Sequence, residues 1–136
     1  MSAHVLLQPP ALTTLLWRAW ATRSKRPGRV DSLPAAHWSM PSVTVQAADI
    51  AHYRSVCGFD GEQAVPLTYP QLLTFPLVMA YLSSPECPWP AAGTVHLYNR
   101  IEQHDALRAG DVVSVEVVTG ALRSHEKGQV FDLDLF

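Results

Sequence analysis

Acidic side chains are missing from the first thirty residues of this 136-residue chain, which hold Arg18, Arg23, Lys25, Arg26 and Arg29. The other five of the ten Lys and Arg residues, and all twelve Asp and Glu, fall in residues 31–136. The body is therefore acidic, which speaks against nucleic acid as its partner. Cysteine is scarce: Cys57 and Cys87 lack metal-ligand spacing, and nothing ahead of them reads as a secretory peptide. Both are expected as reduced thiols in a cytoplasmic protein. Long apolar runs are lacking too, because Leu72 to Leu82 is interrupted by Thr74 and Pro76 and falls short of the roughly 18 residues a membrane span needs. There is no glycine-rich phosphate loop, no Gly-x-Ser-x-Gly elbow, no cysteine with a nearby general base and no histidine pair at i, i+4. No cofactor or metal is expected, and the six histidines read as surface or capping residues. No internal repeat or low-complexity tract is present. A chain of this length with 48% apolar composition has material for one core and is too short for two ordinary domains.

Hydrophobic spacing then suggests the elements. Leu12, Leu15, Leu16, Ala19 and Trp20 follow i, i+3, i+4, i+7, i+8 and predict an amphipathic helix over 11–24. Its basic, acid-free character admits a membrane-surface or mitochondrial-targeting segment, but packing on its own domain or a sister subunit is the simpler expectation. Residues 25–42 hold three prolines with Gly and Ser and read as a linker. The expected division is thus 1–41, a basic helix plus linker, and 42–136, the folded domain. Within the latter, Val43–Gln46 reads as a strand and Ala47–Cys57 as a helix, with Asp49 in its first turn and Gly58 ending it. Val65–Pro70 reads as extended, since residues before proline avoid the helical region. Gln71–Ser84 is apolar on nearly every face and predicts a helix buried all round, with Pro76 either in its first turn behind a Thr74 cap or at a kink. Gly93–His104, Asp111–Leu122 and Gly128–Phe136 read as strands. Together these predict an α+β domain whose antiparallel sheet wraps one helix.

The stretch YRSVCGFDGEQAVPLTYPQLLTFPLVMAYL (53–82) followed by GTVHLYNRIEQHDALRAGD (93–111) resembles the MaoC-like hydratase/dehydratase family. More narrowly it resembles the degenerate amino-terminal repeat of the double hot-dog members, over about residues 43–136. The resemblance implies a hot-dog fold and binding of 2-enoyl or (R)-3-hydroxyacyl groups carried as thioesters on coenzyme A or acyl carrier protein. Catalytic members carry Gly-Asp-x-Asn-Pro-x-His, whose Asp and His hold the reacting water. Here that place is taken by Gly58-Phe59-Asp60-Gly61-Glu62-Gln63-Ala64-Val65-Pro66-Leu67-Thr68, with no Asn-Pro-x-His, and the next histidine is His96. Asp60-Gly61 reads first as a turn. The family is one of hydro-lyases, but whether this chain is an enzyme stays open. By the resemblance a single repeat has five or more strands, so a sheet ending at Gln129–Phe136 is expected to lack its last strand and to pair with a second hot-dog domain or sister subunit.

That analogy makes the chain a substrate-holding half, with Phe75, Leu77, Val78, Tyr81 and Leu82 lining an acyl pocket; taken singly, each of them reads first as ordinary core. Tyr69, Asn99 and Arg100 are polar candidates at the edges of the helix and strand. Arg100 either pairs with Glu102 or Asp105, or meets a phosphate of the carrier arm. The alternatives are a stand-alone homodimeric hydratase using an improvised dyad, Asp60 with Tyr69, and a membrane-surface adaptor acting through residues 11–29; a membrane is otherwise not expected as a partner.

Overall fold

The computed structural model describes residues 1–61 and 65–136. Strand β1 (Ser2–Val5), helix α1 (Leu12–Ala21) and a 3-10 turn (Thr22–Ser24) precede strand β2 (Ala36–Thr44). Helices α2 (Ala47–Cys57) and α3 (Pro70–Leu82) follow, and strands β3 (Val112–His125) and β4 (Gly128–Leu135) close the sequence of elements. The sheet runs in the order β1-β2-β3-β4. Strands β2, β3 and β4 are antiparallel neighbours, while β1 lies parallel to β2 with Ser2 opposite Ala36 and Val5 opposite Ser39.

The core lies between α3 and the sheet. Leu77, Ala80 and Tyr81 of α3 meet Ala36, Trp38 and Met40 of β2 and Val115 and Val117 of β3, all buried. The alternation of Ala36, Trp38 and Met40 is the period-2 pattern of a strand with one buried face. Leu15 of α1 joins this cluster, as does Cys87. A smaller core of Val45, Ile50 and Tyr69 ties α2 to the approach of α3.

Several expectations shift. The boundary expected near residue 42 falls inside β2, which begins at Ala36, and the residues read as linker are strapped down. Lys25 Nζ donates to the carbonyls of Ser84 and Cys87 at 2.7 and 2.6 Å. Gln129 holds both backbone groups of Val30, at 2.8 and 2.9 Å. Proline-rich composition predicts lack of regular structure, not lack of anchoring. Residues 94–103, expected as a strand, run beside the fold without one, and Val95, Leu97 and Tyr98 are exposed. Strand propensity is realised only against a partner's backbone, and this segment joins neither edge of the sheet. Residues 67–69, expected extended, form a turn closed by Tyr69 N–H to the Pro66 carbonyl at 2.9 Å.

Helix α3 resolves the question of Pro76. Pro70 occupies its start and Pro76 lies in its interior, while Thr74 Oγ donates back to the Gln71 carbonyl at 3.1 Å instead of capping. The missing amide at Pro76 leaves the Leu72 carbonyl without its helical donor, and Leu72 is 49% exposed, so water can take that place. With Phe75 at 46% exposure, one side of this helix is open and the expectation of burial all round is corrected. Gly58 does end α2, in the left-handed conformation at φ 69° that a side chain would disfavour.

The β3–β4 hairpin is bulged between Thr119 and Leu122. A Cβ built on Gly120 there would come within 3.1 Å of Asp132 Cβ and 3.2 Å of Asp134 Oδ2. Gly120→Val is expected to lower unfolding free energy by about 1–2 kcal/mol through this overpacking, read by denaturant titration; an unchanged midpoint would mean that the strands separate freely at the bulge.

Candidate functional site

The residues proposed from sequence do not gather into one cluster. Tyr81 is fully buried at the α3–sheet interface, edge-on to Phe131 of β4, which itself stacks on Trp89 with centroids 5.2 Å apart. Among the described residues its buried hydroxyl meets no full hydrogen-bond geometry; the Cys87 thiol is its nearest polar neighbour. Burial, with Cys87 and Glu86 nearby, pushes that phenol well above its ordinary value. Leu77 is fully buried beside it, and Val78 and Leu82 are half-buried against the same core. Phe75, by contrast, points away from this group and is largely exposed.

Tyr69 is buried in the smaller core, edge-on to Tyr53 at 5.7 Å. Burial first, and the Asp49 carboxylate second, push its phenol up. Asp60 is exposed in the loop after α2, so the acidic neighbour of Tyr69 is Asp49. Both phenols are thereby held protonated: each can give or take a hydrogen bond, and neither is placed to act as a base. Asn99 donates to Gln71 Oε1 at 3.0 Å, and Arg100 pairs with Glu102, the local contact that was one of its two expected roles. Of the segment standing in place of the catalytic signature, Glu62, Gln63 and Ala64 lie outside the described residues.

A second constellation was not anticipated. His4 Nε2 lies 2.8 Å from Glu86 Oε1, the indole N–H of Trp38 donates to Glu86 Oε2 at 3.2 Å, and the His4 ring stacks on Trp38 at 4.2 Å. Burial alone would push the Glu86 carboxyl up; hydrogen bonds from Ser2, His4 and Trp38 outweigh it and hold the group below the ordinary Glu value. His37 makes a similar contact with Glu116 at 2.8 Å. These pairs join residues about eighty positions apart, so no local spacing could reveal them. The parallel pairing of β1 with β2 brings His4 opposite Trp38. Next to this cluster, a cleft of about 520 Å³ opens between α1 and the end of α3, lined by Trp17, Arg18, Lys25, Trp38, Ser83 and Pro85 among others. Among the described residues no three His, Cys, Asp or Glu side chains come together in a way that could hold a metal ion.

The chain is 36% identical over 128 residues to 3-hydroxyacyl-thioester dehydratase X of Mycobacterium tuberculosis, an alignment covering 94% of this chain and 45% of that protein. The chain is a homologue of a 3-hydroxyacyl-thioester dehydratase. The crystal structure of that bacterium's HtdX superposes with a TM-score of 0.67 at 34% identity, covering 73% of this chain and 42% of the other. The fold is accordingly the α+β hot-dog class that the sequence suggested. The chain spans about half the length of the curated relative it matches. No protein-family model matches it.

Proposed function

We infer that this chain is a substrate-holding half of a MaoC-like acyl dehydratase, the counterpart of a degenerate hot-dog repeat. It binds 2-enoyl or (R)-3-hydroxyacyl thioesters of coenzyme A or acyl carrier protein, and a second hot-dog domain or sister subunit contributes the chemistry. The observation that carries this reading is the extended similarity to a dehydratase combined with a stretch of sequence, 58–68, that contains no histidine. The buried phenols of Tyr69 and Tyr81 fit this reading: both are held protonated and are unsuited to removing a proton. Val78 and Leu82, half-buried over Leu77, would offer apolar contact to an acyl tail, while Phe75, Asn99 and Arg100 lie nearer the surface, where a carrier arm would pass. Two unbridged thiols suit a cytoplasmic setting.

The test is hydration of a medium-chain 2-enoyl-CoA by the purified chain, followed as loss of enoyl absorbance, with calorimetric binding on the same sample. Binding with turnover at background is the expected result. Turnover clearly above background would overturn the non-catalytic reading in favour of a self-sufficient hydratase, and Asp60→Ala would then be the variant to make. Absence of binding would remove the acyl-holding role.

A further inference from the structure

Helix α1 meets the domain along a narrow stripe of Leu15, Ala19 and, just beyond the helix, Thr22. Its remaining apolar side chains face outward: Leu12, Leu16, Trp17 and Trp20 are each more than half exposed. At about 100° per residue these four occupy a continuous arc of roughly 140°. Single exposed apolar residues are ordinary, but a contiguous apolar face marks a surface that something covers. Of the expectation that the helix packs on its own domain or a sister subunit, packing on the domain accounts for the edge of the stripe and leaves its centre exposed in this chain.

Charge indicates what covers it. Residues 1–30 carry five Lys or Arg and no acid, whereas the rest of the chain is acidic. Arg23 joins the apolar arc, its guanidinium 3.2 Å over the Trp20 ring, whereas Arg18 lies on the other side of the wheel and lines the cleft together with Trp17. A two-fold contact through this face would set α1 against α1, bringing both sets of Arg23 and Arg26 together, which like-charge repulsion opposes. Indole rings beside guanidinium groups, around a leucine centre, match instead the bilayer interface, where the rings settle at headgroup depth and the cations meet phosphates. The acidic body would be repelled by the same surface, turning the α1 end towards it.

We propose that α1 is a docking surface for an anionic lipid bilayer. Leu12, Leu16, Trp17 and Trp20 enter the headgroup region, and Arg23 and Arg26 lie on lipid phosphates. Attachment is peripheral, since no helix among the described residues is long and apolar enough to cross a membrane. This role is independent of thioester binding and would hold the chain at a membrane surface whether or not it binds an acyl group.

Flotation of the full chain with vesicles of phosphatidylcholine alone, and of phosphatidylcholine mixed with phosphatidylglycerol, tests the proposal. Binding to the mixed vesicles is expected, weakening as salt rises. W17A/W20A should weaken it by about tenfold or more, through lost interfacial apolar contact. R23E/R26E should weaken it by roughly thirtyfold, given the usual contribution of each cation near an anionic surface. These side chains are exposed, so circular dichroism should report an unchanged fold. Failure to float with phosphatidylglycerol vesicles would overturn the proposal, as would flotation equal to the parent in both variants. So would a dimer of the parent chain that W17A/W20A dissolves, which would assign the face to a second copy. Calorimetric thioester binding by W17A/W20A, compared with the parent, keeps failure here distinct from failure of the acyl-holding reading.

Discussion

Two substitutions at Tyr81 should move stability in opposite directions. Tyr81→Ala is expected to lower unfolding free energy by about 3–5 kcal/mol, the range for truncating a buried aromatic where the surroundings cannot collapse. The site is of that kind: Tyr81 has no exposed surface, and its ring is packed against Phe131, itself pinned by Trp89. Tyr81→Phe keeps the ring and removes only a hydroxyl that, among the described residues, meets no full hydrogen-bond geometry and has only the weakly bonding Cys87 thiol beside it. A buried polar group left unpaired is destabilising by roughly 1–3 kcal/mol, so the phenylalanine variant should be more stable than the parent by about 1 kcal/mol. Denaturant titrations of both variants check the pair. A Tyr81→Phe variant less stable than the parent would mean that the hydroxyl finds a partner in solution, with the Cys87 thiol or an enclosed water as the candidates. The same substitution also bears on function. If the phenol serves to hydrogen-bond a bound acyl thioester, Tyr81→Phe should gain stability while losing thioester affinity, and a merely structural tyrosine would show the first effect without the second.

The contrast between helices and strands explains what could be read in advance. Helix α2 was found with its observed limits because its signals are local: apolar spacing at Ile50 and Tyr53, an acid in the first turn, and Gly58 adopting a left-handed conformation. The β3 and β4 hairpin was equally visible, because its turn residues and alternating pattern lie within one stretch of chain. Residues 94–103 have the same β-branched and aromatic character, yet whether such a segment becomes a strand depends on a neighbour that its own sequence does not specify. Strand β1 shows the reverse. Four residues of unremarkable propensity are ordered because β2 lies alongside and because Glu86, eighty-two positions from His4, accepts a bond from its imidazole. The candidate site divides in the same way. The apolar run of α3 indicated a helix against the sheet, but the open side at Leu72 and Phe75 and the unpartnered hydroxyl of Tyr81 are consequences of packing, with no trace in residue spacing.

Glu86 is where that long-range ordering is concentrated, and removing it should have the second-largest effect. In Glu86→Ala the buried indole N–H of Trp38 and the imidazole of His4 both lose their acceptor, and β1 loses its side-chain tie to the segment after α3. Hydrogen bonds to a charged group contribute about 1.5–3 kcal/mol, so a loss of about 2–3 kcal/mol is expected, with amide exchange in residues 2–5 rising ahead of global unfolding. Glu86→Gln keeps an acceptor oxygen and removes the charge, and should lose about half as much. The acid response separates the charge from the shape. Because the folded state holds the Glu86 carboxyl below its ordinary 4.5, the unfolded chain binds this proton more readily. The stabilisation is therefore complete above about pH 5, and it disappears as pH falls through the lower folded-state value. Asp132, held low chiefly by its hydrogen bond from Arg123, contributes a slope of the same sign, so the informative quantity is the difference between the parent and Glu86→Gln. That difference should be largest near neutral pH and shrink on acidification below 4.5. A difference that stays constant with pH would show that Glu86 acts through its shape and hydrogen-bonding oxygens alone, with no share from its charge.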